Sequence, residues 1–284
     1  MHTTLIDCPT LSAMLGTADL VIVDCRFDLT RPEWGGQAFR DGHIPGAGYA
    51  HLDRDLSGAV TTATGRHPLP DPDVLAEHFA CRGIDGRVQV VAYDQGSGAC
   101  AARLWWLLRW LGHAGTAVLD GGFEAWCHAG LPMRTGAAGS RAPRAFQRHL
   151  PIDAAPVSTA EIVDGLRDRT LRLIDARGAD RFAGQNEVID PVAGHVPGAV
   201  NHPFADNLGP DGRFLQAAEL RARWLRTLGG HSPADAVSMC GSGVTACHNL
   251  FALELAGLTG ARLYPGSWSE WIRDSGRPVA TGSG

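Results

Sequence analysis

Four segments of the chain occur twice, in the same order. Ile22-Val23-Asp24-Cys25-Arg26 returns as Leu173-Ile174-Asp175-Ala176-Arg177, and Gly42-His43-Ile44-Pro45-Gly46-Ala47 as Gly194-His195-Val196-Pro197-Gly198-Ala199. Val90-Val91-Ala92-Tyr93-Asp94 returns as Ala236-Val237-Ser238-Met239-Cys240. Leu119-Asp120-Gly121-Gly122-Phe123-Glu124-Ala125-Trp126 parallels Tyr264-Pro265-Gly266-Ser267-Trp268-Ser269-Glu270-Trp271. The offsets lie between 145 and 152 residues. Four ordered matches mark a duplicated domain. A chain of 284 residues fits two domains at about 150 residues each, so each half must bury its own core on the same plan.

The rhythm inside each half sets the fold class. A short apolar run (Leu20–Val23; Leu171–Ile174) ends in Asp and Arg, and a Gly/Pro-rich loop follows. In the first half a helix then starts at Asp71-Pro72, where Asp suits the N-cap and Pro the first turn. A second apolar run (Val88–Tyr93; Ala236–Met239) leads into a Gly/Ser loop and an apolar helix (Cys100–Leu111; Ala246–Leu255). A third strand and a short Trp-bearing helix close the unit. Alternating strands and helices predict an α/β fold: two tandem domains, each a mostly parallel sheet flanked by helices. Ser158-Thr159-Ala160-Glu161 reads as a capping box opening the second half. The expected division is a first domain over 1–132, a linker over 133–157 and a second domain over 158–284.

Composition removes several function classes. All 25 basic residues are Arg, so Schiff-base catalysis and a P-loop lysine are excluded. The formal net charge is −5, which argues against nucleic acid as a partner. The 12 His and seven Cys show no zinc-type spacing, so no metal is expected. The Cys number is odd and no C-x-x-C pair occurs, which argues against a disulfide framework. Met1-His2-Thr3-Thr4 lacks a basic stretch and an apolar run, so no signal peptide is expected. The most apolar stretch, 101–111, holds Arg103 and Arg109 and is too short to span a membrane. The expected compartment is the cytoplasm.

The chemistry gathers in Cys240-Gly241-Ser242-Gly243-Val244-Thr245-Ala246. A buried strand ends at the cysteine, small residues follow, and a helix begins. Such a loop can turn its backbone N–H groups inward as an anion nest, and a cysteine seated there gains thiolate character and nucleophilicity. The bland alternative is a small buried residue before a Gly turn. Cys247 lies two turns into the helix and reads as core; Cys8, Cys25, Cys81, Cys100 and Cys127 read as structural. A Cys-x5-Arg phosphatase loop is absent, because Ala246 stands where the Arg would clamp phosphate. Neither a G-x-S-x-G elbow nor a G-x-G-x-x-G fingerprint is present.

With this loop, the two G-H-[IV]-P-G-A motifs and the closing G-[GS]-[FW]-x-x-W, the chain resembles tandem rhodanese-domain sulfurtransferases over nearly its whole length. The C-G-S-G-V-T-A loop resembles the 3-mercaptopyruvate branch; the thiosulfate branch has Arg-Lys after its cysteine. The resemblance implies that only the second unit is catalytic and that the first shapes the cleft. In the first unit Asp94 or Gln95 falls where the cysteine would be, depending on one gap. It also implies a Cys240 persulfide formed from a small sulfur donor, no cofactor, and a thiol acceptor such as thioredoxin. Gly241, Gly243, Val244 and Thr245 would line the substrate loop.

The same resemblance assigns further residues. Arg181, in Asp180-Arg181-Phe182-Ala183-Gly184, matches the family's carboxylate-binding Arg, and Arg suits a bidentate carboxylate partner. A second substrate Arg is expected nine residues later, where this chain has Asp190 in a loop two residues shorter. Arg177 is a further substrate candidate, but Asp175-x-Arg177 recurs as Asp24-x-Arg26 and also reads as a structural ion pair. Ser242 would act with His67, in Gly65-Arg66-His67-Pro68, and with Asp53. His43 and His195 occur in both units and read as structural. Trp105, Trp106 and Trp110 read as packing, and Trp268 and Trp271 as core or as the border of the site. Two alternatives remain: a thiosulfate sulfurtransferase, and a non-catalytic binding or redox-sensing module.

Overall fold

The structure is a computed structural model that describes residues 1–150 and 155–283. Two compact units divide it. The first holds residues 1–58, 70–150 and 210–213; the second holds 59–69, 155–209 and 214–283.

In the first unit the strands are β1 (Leu5–Ile6), β2 (Leu20–Asp24), β3 (Ala47–Tyr49), β4 (Gln89–Tyr93) and β5 (Thr116–Leu119). They form one parallel sheet in the order β1-β5-β4-β2-β3. β2 and β4 are buried along their whole length. This is why they read as continuous apolar runs and not as alternating ones: a parallel sheet is covered on both faces. The helices are α1 (Cys8–Met14), α2 (Trp34–Asp41), α3 (Leu52–Asp55), α4 (Pro72–Cys81), α5 (Ala99–Trp110) and α6 (Gly122–His128). Asp71 caps α4 by accepting from the N–H groups of Asp73 and Val74. Residues 133–150 run along this unit: His149 N–H donates to Leu111 O and Arg144 N–H to Ala80 O. The part of the expected linker at 151–154 lies outside the described residues.

The second unit repeats the plan with a smaller sheet. Its helices are α7 (Thr159–Asp168), α8 (Ala179–Phe182), α9 (Ala217–Leu228), α10 (Thr245–Leu255) and α11 (Ser267–Trp271). β6 (Arg172–Asp175), β7 (Val200–Asn201), β8 (Ala236–Met239) and β9 (Arg262–Leu263) pair in parallel in the order β7-β6-β8-β9. The capping box at Ser158 and Glu161 is formed. Trp268 and Trp271 join the core of Leu173, Phe182, Val237 and Met239.

The duplication reaches individual contacts. Arg26 Nη2 meets Asp24 at 2.6 Å and Arg177 Nη2 meets Asp175 at 2.6 Å, both pairs buried. His43 Nδ1 lies 2.8 Å from Phe39 O and stacks on that ring; His195 Nδ1 lies 2.7 Å from Phe182 O and stacks likewise. The motif histidines pin backbone in both units, as their recurrence predicts. Among the described residues no helix is long and apolar enough to cross a membrane.

Candidate active site

β8 ends at Met239, and the chain turns at once through Cys240. The thiol is buried, with the residue 2% exposed. Two loop N–H groups point at it: Gly243 N–H donates to Sγ at 3.1 Å and Ser242 N–H lies at 3.5 Å. The loop is held from the other side by the start of α11. Cys240 N–H donates to Ser267 Oγ, Cys240 O accepts from Trp268 N–H and Gly241 O accepts from Ser269 N–H. Gly243 has φ +78°, and a Cβ there would lie 2.5 Å from Pro265 O, so the close turn requires glycine. Val244 and Thr245 then open α10. Cys247 Sγ donates to Gly243 O at 3.2 Å, inside the helix core.

Strand register settles which first-unit residue matches Cys240. Asp24 pairs with Tyr93 and Asp175 with Met239, so the next residues, Asp94 and Cys240, are equivalent. Asp94 fills its own loop. Its carboxylate accepts the N–H groups of Gly96, Gly98, Cys100 and Ala101 at 2.9–3.3 Å. Burial raises Asp94 above the ordinary carboxylate range, against the pull of these four donors. The same loop architecture therefore holds an anion in one unit and a thiol in the other.

Around Cys240 stand three arginines. Arg177 is buried: its side chain grips Asp175 through Nε and Nη2, donates to Gly194 O at 2.8 Å, and lies over the Trp268 ring. Burial alone would lower its value; Asp175, Glu187 and the nearby Cys240 outweigh this and raise it. The Asp175–Arg177 pair is thus the buried ion pair that its recurrence suggested, with its charge beside the nucleophile. Arg181, on α8, presents Nε to both oxygens of Glu187 (3.1 and 3.0 Å) and Nη2 to Asp190 at 2.9 Å.

The third arginine is one that spacing did not single out. Residues 59–69 pack with the second unit, and they bring Arg66 to the loop. A Cβ on Gly241 would lie 3.2 Å from Arg66 Nη2, and 3.8 Å from both Arg181 Nη2 and Asp190 Oδ2. Arg66 Nη1 donates to Asp190 Oδ1 at 2.7 Å, while its Nε has no hydrogen-bond partner among the described residues. The only signal in the sequence was its place beside His67. His67 itself is buried, with Nδ1 2.7 Å from Ser242 Oγ. Asp53 lies in α3 of the first unit, its N–H donating to His51 Nδ1.

Both halves match the family model of the rhodanese-like domain, over residues 8–129 and 158–274, and the chain belongs to that family. It is 51% identical over 274 residues to the probable 3-mercaptopyruvate sulfurtransferase of Pseudomonas aeruginosa, covering 96% of each chain. It is 38% identical over 281 residues to a putative thiosulfate sulfurtransferase of Mycobacterium tuberculosis, covering 98% of this chain and 97% of that one. Among solved structures, the 3-mercaptopyruvate sulfurtransferase from Leishmania major superposes with a TM-score of 0.81 at 35% identity, over 95% of this chain and 74% of that one.

Proposed function

We propose that the chain is a sulfurtransferase that takes sulfur from 3-mercaptopyruvate through a Cys240 persulfide. The observation that carries this reading is the Cys240 sulfur seated against Gly243 N–H in a loop flanked by arginines. The thiolate attacks the donor's sulfur. An S–S bond forms, the donor's C–S bond breaks, and the electron pair leaves as the enolate of pyruvate. The thiol proton lost by the donor is the one the enolate carbon takes up to become pyruvate. Ser242, hydrogen-bonded to His67, is placed to carry it. Loop N–H groups stabilise the thiolate and then the persulfide.

Arg66 takes the donor's carboxylate. Its Nη1 is anchored by Asp190, which leaves the Nε–Nη2 edge, the side-on fork that suits a carboxylate, without a protein partner at Nε. Arg181 supports it through the shared Asp190, and Arg177 contributes charge beside the sulfur. The first unit is non-catalytic, with Asp94 in the cysteine's place. The outer sulfur passes to a thiol acceptor such as thioredoxin or a small thiol. Seven free cysteines suit a reducing compartment, the cytoplasm.

Specificity constants for the two donors, measured with cyanide as acceptor, test the assignment. The reading expects 3-mercaptopyruvate to exceed thiosulfate; a preference for thiosulfate of about tenfold or more, a difference of about 1.4 kcal/mol in transition-state binding, overturns it.

A further inference from the structure

Asp190 stands where the family resemblance led one to expect a second substrate arginine, and the structure gives it two arginine partners. Its side chain is 1% exposed. One oxygen holds Arg66 Nη1 at 2.7 Å and the other holds Arg181 Nη2 at 2.9 Å. Glu187 takes the Nε of Arg181. Burial would raise Glu187, yet Arg181 and the N–H groups of Asp190 and Ile189 hold it below the usual carboxylate range. The cations around the loop, Arg66, Arg177 and Arg181, are thus matched by Asp175, Glu187 and Asp190. The side-on fork of Arg181 is filled. Among the described residues, Nε of Arg66 and Nη1 of Arg177 are left without a hydrogen-bond partner.

We propose that Asp190 is a specificity-determining residue: by bridging Arg66 and Arg181 it offsets positive charge beside Cys240 and selects a donor bearing a single planar carboxylate over a dianionic sulfur donor. The inference rests on the sulfur-transfer reading of this site and adds to it a reason for the donor's charge. One carboxylate suits the guanidinium nitrogens left unpartnered. A dianion such as thiosulfate brings a second negative charge next to Asp190, Glu187 and the Cys240 thiolate, in a partly buried site where such a charge is poorly screened. The selectivity therefore does not come only from the neutral Gly241 and Ser242 after the nucleophile.

Asp190→Asn keeps the shape and removes the charge; Asp190→Glu keeps the charge. Specificity constants for thiosulfate and 3-mercaptopyruvate, with cyanide as acceptor, give a donor ratio for each protein. In Asp190→Asn the ratio moves toward thiosulfate by about tenfold or more, the scale of one unit charge a few Å away; in Asp190→Glu it stays within about threefold of the unmodified enzyme. A ratio unchanged in Asp190→Asn, or both donors weakened alike, overturns the proposal and leaves Asp190 a structural tie. A second measurement needs no variant. Pyruvate and sulfate are compared as protectants of Cys240 against iodoacetamide in the full-length protein, read by peptide mass. Pyruvate should protect at a concentration about tenfold or more below sulfate; equal protection overturns the proposal even if Asp190→Asn fails to fold. If the unmodified protein turns over neither donor, the sulfurtransferase reading falls, and the protection experiment still decides the charge selectivity.

Discussion

Replacing Gly243 by alanine tests whether the loop N–H groups do the chemistry assigned to them. The backbone there has φ +78°, a region that costs a residue with a Cβ about 1–2 kcal/mol. The added methyl would meet Pro265 O at 2.5 Å and Pro265 Cα at 3.0 Å. Both are backbone atoms, so the loop itself must move. Overpacking of this kind costs about 1–3 kcal/mol more. The movement takes the Gly243 N–H, now 3.1 Å from Cys240 Sγ, out of line. Losing one preorganised donor slows such steps by about a hundredfold or more. Gly46→Ala is the control: it has φ +83° but nothing within 4 Å of the new Cβ, and it lies in the first unit. Urea unfolding should show a loss of about 1–2 kcal/mol for Gly46→Ala and a larger one for Gly243→Ala. Rapid-quench mass spectrometry reads persulfide formation in single turnovers. The control should load at the unmodified rate and Gly243→Ala about a hundredfold more slowly. A folded Gly243→Ala protein that loads within about threefold of the unmodified enzyme, far inside that donor effect, refutes the nest as the source of activation.

Two further outcomes follow from the same geometry. Arg66→Lys keeps the charge but loses the side-on fork, a charge-assisted bond of about 1.5–3 kcal/mol, so KM for 3-mercaptopyruvate should rise about tenfold or more. Arg181→Lys should raise it less, because Glu187 and Asp190 fill that fork; equal rises would sink the assignment of the carboxylate to Arg66. Burial holds the imidazoles of His113 and His202 below their ordinary range. The folded state therefore refuses protons that the unfolded chain accepts below about pH 6.5, and stability is full above that value and falls on acidification. The slope is at most about 1.4 kcal/mol per pH unit for each histidine. Urea unfolding at several pH values should show this loss, with a shallower slope in His202→Gln; stability that rises as the pH drops would contradict it.

What the sequence could show depended on how far apart the partners lie. The duplication exposed the fold, because each strand, loop and helix recurs with its own local signals. Within β8, its loop and α10 the apolar run, the small residues and the cysteine are contiguous, so Cys240 stood out. The Asp175–Arg177 pair was legible for the same reason: two residues apart, and present twice. Arg66 was not. It reaches Asp190 across 124 positions of chain, through a segment that packs with the second unit although it lies within the first repeat. Spacing arguments work inside an element and fail for such a crossing. Asp190 looked like a missing arginine; only the structure shows its carboxylate shared by two guanidiniums. Choosing between Asp94 and Gln95 likewise required the strand register, which no count along the chain supplies.

The central claim is that Cys240 carries the transferred sulfur, and intact mass under non-reducing conditions reads it directly. After brief exposure to 3-mercaptopyruvate the unmodified protein should gain the mass of one sulfur and lose it on addition of cyanide. Cys240→Ser should gain none, and Cys247→Ser, whose thiol is turned into the helix toward Gly243 O, should gain it as the unmodified protein does. A sulfur adduct that persists in Cys240→Ser, or that disappears equally in both variants, would contradict the account.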